Sequence, residues 1–319
     1  MKRALIAAAT TATLLFAGGC GSKNGGSKNG GSNDDTSTSA PPASAATVAY
    51  PVTVGNLTLD AQPKRIVSLT PTATEMLFAI GAGPQVVAVD DQSNYPDNAP
   101  KTDLSGFKPN AEAIAAKNPD LVVLSDDTDK IVDQLGKLKI PVFLTPAATS
   151  MDDTYSEIAE LGTLTGHLAE SEALHEQMTT QIDQIVKGVP ARTKPLSYYY
   201  ELDPTLYSVT SKTFIGSIFS MFGMTNVADA ADPDGAKGGY PQLSQEALIK
   251  ANPDTVFLAD SKCCQQSAQT VSARSGWQTI TAVKAKQIYA LDDDIASRWG
   301  PRTVDLVQSV ADAVAKVPA

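Results

Sequence analysis

Several side chains that catalytic and metal sites depend on are scarce in this sequence. Its 319 residues include two histidines and three cysteines. Two imidazoles, both in a polar helical stretch, are too few for the histidine-rich sites that bind zinc or manganese, and no nucleophile has a base beside it. We therefore expect no metal site and no cofactor. Asp292, Asp293 and Asp294 could supply an acid and a base, but consecutive residues in a turn seldom converge on one atom.

Clustered positive charge and long apolar runs are also missing. Asp and Glu outnumber Lys and Arg by 35 to 25, which gives a formal charge of −10, and no basic cluster could follow a phosphate backbone. We therefore expect no nucleic-acid partner. Beyond the N-terminal segment, no apolar run reaches the ~18 residues that a membrane-spanning helix needs.

The N-terminus has the features of an export signal. Lys2 and Arg3 precede an apolar run over residues 4–16, and three small residues stand before Cys20. A cysteine in this place resembles the lipidated first residue of bacterial lipoproteins, so we expect residues 1–19 to be a signal peptide and Cys20 to anchor the mature protein through its lipid.

A tether is predicted between this anchor and the folded part. Residues 20–47 are rich in Gly, Ser and Asn and have almost no apolar bulk, so they cannot form a core. The folded part is therefore expected to begin near Val48.

One segment of the sequence occurs twice. Residues 110–126 (NAEAIAAKNPDLVVLSD) match residues 244–260 (SQEALIKANPDTVFLAD) at 8 of 17 positions. Each copy has helix formers, then Asn-Pro-Asp, then a short apolar run, a pattern that predicts a helix, a turn and a buried strand. The repeat indicates two domains of similar architecture in a chain long enough for both.

The surrounding pattern predicts an α/β fold with two Rossmann-like lobes. Apolar runs that alternate with helical stretches are typical of parallel sheets covered on both faces. We expect an N-terminal lobe at residues 48–166, one long connecting helix at 167–190 and a C-terminal lobe at 191–319. The ligand cleft should lie between the lobes, beyond the C-terminal ends of the strands.

Five segments resemble a known family. They are RIVSLTPTATEMLFAIG and VVAVDDQSNYP in the first half, YSVTSKTFIGSIF and GGYPQLSQEAL in the second, and the ending LDDDIASRWGPRTVDLVQSVADAV. In this order they are similar to the cobalamin-binding and iron-siderophore-binding proteins of ABC importers, the cluster A (class III) solute-binding proteins. The resemblance covers residues 57–318.

The resemblance implies a function in transport. It implies a monomer at the outer face of the cytoplasmic membrane that captures a small molecule and delivers it to an ABC permease dimer with its ATPase. Glu112 and Glu246, which open the two copies of the repeat, match the glutamates that meet arginines of the permease in this family. Each glutamate could also simply favour the positive N-terminal end of its helix, and both interpretations can hold together.

Aromatic side chains dominate the segments that follow the predicted strands. Flat apolar faces with a few polar groups suit a large, semi-polar ligand better than a sugar or an ion, although any of the tyrosines could pack internally instead. The expected ligand-binding residues are Thr70, Pro71, Asp91, Phe107, Tyr95, Tyr207, Tyr240, Asp294 and Arg298, and the resemblance implies the last five of them as contacts for cobalamin.

The resemblance favours cobalamin or a related corrinoid as the ligand. It departs at Gln92, Gly106 and Ser125, where the best-known cobalamin binders have large aromatics, although Phe107 could replace the one at Gly106. Six arginines and the acidic run 292–294 disfavour an anionic ferric catecholate. A ferric hydroxamate siderophore or haem is the alternative, and an extracytoplasmic enzyme is less favoured.

Cys263 and Cys264 are adjacent in an exported protein, where thiols oxidise. Neighbouring Cα atoms are ~3.8 Å apart, below the ~4.4 Å at which ordinary disulfides begin, so a bond between them would be strained. We predict a vicinal disulfide at the wall of the cleft in the C-terminal lobe. Free thiols or bonds between chains are the alternatives.

Overall fold

A computed structural model describes residues 48–318, which form two α/β lobes joined by one long helix. Cys20, the predicted signal peptide and the predicted tether lie outside these residues. The elements of the N-terminal lobe are β1 (Val52–Val54), β2 (Leu57–Leu59), β3 (Ile66–Ser68), α1 (Pro71–Ala79), β4 (Val86–Asp90), β5 (Lys101–Leu104), α2 (Ala111–Ala115), β6 (Leu121–Leu124), α3 (Ile131–Lys137), β7 (Val142–Leu144) and α4 (Met151–Thr165).

The connecting helix α5 runs from Leu168 to Gly188 and leads into the second lobe. The elements of the C-terminal lobe are β8 (Ser197–Glu201), α6 (Phe214–Ser220), β9 (Thr225–Asn226), α7 (Gln245–Ala251), β10 (Thr255–Leu258), α8 (Ala268–Ser272), α9 (Thr281–Lys284), β11 (Ile288–Ala290), α10 (Asp293–Ala296) and α11 (Thr303–Lys316).

Each lobe is built on one parallel sheet. The strand order is β5-β4-β3-β6-β7 in the N-terminal lobe and β11-β10-β8-β9 in the C-terminal lobe, while β1 and β2 form a separate antiparallel hairpin. The predicted fold of two parallel-sheet lobes and a long connecting helix is confirmed. Sequence patterns missed β5, in which only Leu104 is buried, and β9, which has two residues.

The repeated segment makes the same structure in both lobes. In each copy the asparagine of Asn-Pro-Asp has a left-handed backbone, with φ of 52° and 51°. Asp120 then accepts a hydrogen bond of 2.8 Å from the backbone N–H of Arg65, just before β3. Asp254 accepts one of 2.9 Å from the backbone N–H of Ser197, at the start of β8. Each carboxylate therefore holds the strand of the repeat, β6 or β10, against the neighbouring strand, β3 or β8. This shared structural role explains why the two lobes have the same segment.

Helix α5 packs against α4 on one side and α11 on the other, so it contacts both lobes. Its approach to α4 depends on Gly162, because a Cβ atom there would overlap the side chain of Ser171. One apolar cluster continues through this junction and includes Met178, Ile182 and Val310. Within residues 48–318, none of the helices has the length and apolar character to cross a membrane.

Candidate functional site in the cleft between the lobes

A cavity of about 380 Å³ lies between the two lobes. Its N-terminal side is formed by residues at or beyond the ends of four neighbouring parallel strands, β3 to β6, where ligands of α/β proteins usually bind. Its C-terminal side is formed by the segment after β11. The lining residues are Leu69, Thr70, Pro71, Thr72, Asp90, Gln92, Gly106, Phe107, Ser125, Asp126, Asp294, Ser297, Arg298 and Trp299.

The structure brings five of the nine predicted ligand-binding residues into this cavity. They are Thr70, Pro71, Phe107, Asp294 and Arg298. Phe107 offers the largest free apolar surface, since 76% of it is exposed. Asp91, Tyr95, Tyr207 and Tyr240 are not among the lining residues. The part that any of the nine has in ligand binding stays a prediction.

The three tyrosines are exposed and not packed internally. Tyr95 lines a second cavity, of about 520 Å³, and the guanidinium of Arg302 lies 4.4 Å from the centroid of its ring. Tyr207 and Tyr240 lie on two segments of the C-terminal lobe that bond to each other in antiparallel fashion. These two rings therefore stand at the surface of the C-terminal lobe, free to meet a ligand or a partner.

Carboxylates give the cavity an acidic character. Asp90 is buried and accepts a hydrogen bond from the Ser93 hydroxyl, and its burial raises its pKa. Asp126 is exposed and accepts a hydrogen bond of 2.9 Å from the backbone N–H of Thr128. Burial opposes ionisation of Asp294, but the ammonium of Lys262, 2.9 Å away, contributes to a lowered pKa.

Arg298, the positive charge in the lining, is held by protein groups. Its Nη1 donates to Glu75 at 2.8 Å and to the side chain of Asn94 at 2.9 Å. Its Nη2 donates to the carbonyl of Gln92 at 3.1 Å and to Asp294 at 3.0 Å. The side chain is 9% exposed and these two nitrogens are occupied, so little of its charge is available to a ligand.

Sequence reasoning missed Glu75, the main partner of Arg298. This glutamate lies in α1, is 2% exposed, and also binds Arg302, whose Nε and Nη2 donate to it at 2.9 and 2.5 Å. A charge within the otherwise apolar stretch TEMLFAIG was the available signal, because a buried glutamate needs a partner.

Gly106 has no space for a side chain. A Cβ atom there would overlap the carbonyl oxygen of Leu69 and would lie 3.2 Å from Oδ2 of Asp90. With this backbone, an aromatic ring at position 106 is sterically impossible, and Phe107 presents the aromatic surface at this end of β5.

The acidic run 292–294 is bound by the loop that carries the adjacent cysteines. Asp293 accepts hydrogen bonds of 2.9 Å from the backbone N–H groups of Ser261, Lys262 and Cys263. Cys263 and Cys264 are free thiols in the structure. Burial and the neighbouring Cys264 thiol raise the pKa of Cys263 to about 12. The vicinal disulfide stays a prediction.

A buried ion pair lies behind this loop, within the C-terminal lobe. Arg274 binds Glu201 through two hydrogen bonds of 2.6 Å, and Glu201 is fully buried. Asp260 is buried beside them with both carboxylate oxygens unpartnered, and burial together with Glu201 raises its pKa to about 7. Across residues 48–318, no three His, Cys, Asp or Glu side chains converge as a metal site would need.

Glu112 and Glu246 occupy equivalent places in the two lobes. Each is exposed in the first turn of its helix, α2 or α7, and each helix is capped by the residue two positions earlier, Asn110 or Ser244. Their function in docking stays a prediction.

Similar proteins were found both by sequence and by structure. The chain is 29% identical to the ABC transporter substrate-binding lipoprotein YvrC of Bacillus subtilis, over 98% of this chain and 97% of that protein. It is 30% identical to the cobalamin-binding protein of Halobacterium salinarum, over 81% of this chain and 71% of that protein. A possible iron-binding periplasmic solute-binding protein of Staphylococcus epidermidis superposes with a TM-score of 0.70 at 26% identity, over 80% of this chain and all of that one.

The profile of one family covers most of the folded part, since the periplasmic binding protein family matches residues 66–295. This match agrees with the two lobes, the connecting helix and the cleft between them. The chain therefore belongs to the periplasmic binding protein family.

Proposed function

We propose that this protein captures cobalamin or a related corrinoid in the cleft between its lobes and delivers it to an ABC permease. The observation that carries the proposal is the cavity itself, which combines the exposed ring of Phe107 with the exposed carboxylate of Asp126. A corrinoid has a broad apolar ring edged with primary amides, whose N–H groups are donors for carboxylates. The name of the Halobacterium relative supports the same ligand.

The charge of the cavity separates corrinoids from the anionic alternatives. Haem carries two propionates, and ferric catecholates carry several negative charges, whereas the arginine in the lining is already bound to Glu75 and Asp294. The lining residues also include no His, Tyr, Cys or Met that could bind haem iron. A neutral or cationic ferric hydroxamate remains the second candidate, because it suits the same acidic cavity.

The proposal includes a membrane anchor, which rests on the predicted N-terminus, and contacts with the permease, which rest on the family resemblance. After removal of residues 1–19, Cys20 carries a lipid at the outer face of the cytoplasmic membrane. Residues 20–47 are the tether between this anchor and the folded part. The protein acts as a monomer, Glu112 and Glu246 meet the permease, and no reaction is catalysed. The acyl group on Cys20 is detectable by mass spectrometry of the membrane-bound protein.

Calorimetry with three ligands tests the proposed substrate. Hydroxocobalamin should bind, while haemin should not, and ferrioxamine B represents the cationic hydroxamates. Phe107→Ala should weaken corrinoid binding roughly tenfold, because it removes one aromatic contact worth ~1.5 kcal/mol. Leu138→Ala, also at an exposed apolar residue of the N-terminal lobe but outside the cavity lining, is the control. No heat with any corrinoid, together with tight binding of ferrioxamine B, would replace the proposal by the second candidate.

A further inference from the structure

The polar contacts between the lobes converge on one short segment. Within residues 48–318, every hydrogen bond from the N-terminal lobe (48–166) to the C-terminal lobe (191–318) involves residues 294–302. We call residues 294–302 the latch segment. It also supplies all the residues by which the C-terminal lobe lines the cavity. The structure that joins the lobes is therefore also a wall of the ligand site.

Glu75 is the centre of these contacts on the N-terminal side. Its carboxylate is the shared acceptor of Arg298 and Arg302, and the three side chains are 1%, 9% and 17% exposed. Both interlobe ion pairs end on it. Removing Glu75 would leave two guanidinium groups buried without their main counter-charge, which proteins tolerate poorly.

The backbone of the latch segment is seated against the same helix. A Cβ atom on Gly300 would lie 3.5 Å from the carbonyl oxygen of Thr72 and 3.6 Å from Oε2 of Glu75. Trp299 makes further contacts with α4, since its carbonyl accepts from the Thr154 hydroxyl at 2.9 Å. Helix α5 joins the lobes along the chain and packs on both of them, while the polar contacts of the latch segment lie directly across the lobe boundary.

We propose that Glu75 is a positioning residue for ligand capture. By binding Arg298 and Arg302 across the lobe boundary, it fixes the angle between the lobes and so the width of the cleft. The same contacts keep the Arg298 charge from the ligand and hold Asp294 and Trp299 in the wall. The effect on the ligand rests on the proposed function, whereas the effect on the lobe angle does not.

The lobe angle can be measured without any ligand. Spin labels at Lys137→Cys in α3 and Lys284→Cys in α9 place one exposed probe on each lobe of the full-length protein, with Cys20, Cys263 and Cys264 replaced by Ser. The interlobe distance distribution should be narrow with Glu75 present. Glu75→Gln should broaden it, because the shared acceptor loses its charge.

Glu201→Gln is a matched control, since Glu201 also forms a buried glutamate–arginine pair but within one lobe. It should lower the thermal stability and leave the interlobe distribution narrow. A distribution that stays narrow in Glu75→Gln, or that broadens equally in Glu201→Gln, would overturn the proposal. Should Glu75→Gln not fold, Arg302→Met removes one of the two cations, and an unchanged distribution in that variant would overturn the proposal equally.

Dissociation of hydroxocobalamin provides the functional readout. It should be roughly tenfold faster from Glu75→Gln than from the parent protein, as expected for a lost coupling between lobe angle and binding. If hydroxocobalamin fails to bind the parent protein, the proposed ligand is wrong, and the distance distributions still decide the function of Glu75.

Discussion

Trp299 of the C-terminal lobe donates its indole N–H to the Glu157 carboxylate of the N-terminal lobe, at 3.0 Å. Glu157 lies on α4 and is 6% exposed. Its burial raises its pKa to about 7, while the hydrogen bond from Trp299 acts in the opposite direction. A cleft-lining tryptophan is therefore bonded to a carboxyl group that titrates near neutral pH.

The fluorescence of Trp299 should report this titration. Because protonation of Glu157 weakens its bond to the indole, the emission of the protein should change with a midpoint near pH 7. Glu157→Gln should abolish the change. Both proteins should carry Trp277→Phe, because the other tryptophan lies 4.6 Å from the guanidinium of Arg274, near Asp260, whose pKa is also about 7. A transition that persists in Glu157→Gln would assign it to another group.

The same group makes stability depend on pH, with a sign that follows from the raised pKa. The folded protein retains the proton up to about pH 7, whereas the unfolded chain loses it near its ordinary value of 4.5. The contribution of Glu157 is therefore fully present below pH 4.5 and is lost as the pH rises to about 7. Urea unfolding measures the free energy of unfolding at pH 5 and at pH 8. Glu157→Gln should show a smaller difference between the two values than the parent protein does. An unchanged difference would contradict the assignment.

Two glycine substitutions should have opposite effects. Gly106→Ala places a methyl group on the Leu69 carbonyl, so the backbone at the cleft must shift, at a cost of about 2 kcal/mol in the free energy of unfolding. Gly136→Ala, in helix α3 with nothing within 4 Å of the new Cβ atom, should stabilise the protein by about 0.5–1 kcal/mol. Chemical denaturation measures both. If Gly106→Ala changes the free energy of unfolding no more unfavourably than Gly136→Ala does, the predicted overlap with the Leu69 carbonyl is wrong.

The repeat made the architecture predictable, because local signals agreed with the fold. Helix formers, Asn-Pro-Asp and an apolar run predicted the α2–β6 and α7–β10 units, and both are present. The short strands β5 and β9 could not be predicted, since their place depends on pairing with distant residues and not on their own composition.

The candidate site was less predictable, because its chemistry depends on pairs distant in sequence. Arg298 was a reasonable ligand contact from its place after β11, and it does line the cavity. Its partner Glu75 lies 223 positions away, and no local pattern connects them. In the same way, the resemblance marked Gly106 as a departure from the cobalamin binders, but only the structure shows the Leu69 carbonyl that excludes a side chain there.

Reversal of charge at Glu112 and Glu246, the two glutamates proposed to dock on the permease, should separate transport from binding. Glu112→Lys with Glu246→Lys should abolish uptake and leave ligand affinity unchanged, because both residues are exposed and outside the cavity lining. Glu172→Lys with Glu176→Lys on α5 is the matched control, with the same change in net charge at exposed positions. Normal uptake by the first variant, or equal loss in both, would contradict docking at Glu112 and Glu246.

The state of the adjacent cysteines can be decided by mass. A vicinal disulfide makes the purified, non-reduced protein lighter by two hydrogens and leaves Cys263 and Cys264 unlabelled by iodoacetamide. Labelling must be done in denaturant, because the raised pKa of Cys263 in the folded protein would slow the reaction even of a free thiol. Two alkylated cysteines would contradict the bond.

The loop that carries Cys263 and Cys264 is connected to the ligand site by an ion pair, whether the cysteines are oxidised or reduced. Lys262, the residue before the pair, binds Asp292 at 2.8 Å and Asp294 at 2.9 Å, and Asp294 lines the cavity. The strained ring of a vicinal bond would alter the turn that positions Lys262. We therefore expect reduction to change ligand affinity in the oxidised protein. The Cys263→Ser, Cys264→Ser variant is the control, since reductant should leave its affinity unchanged. If reduction has no effect on an oxidised sample, the bond has no part in shaping the cleft.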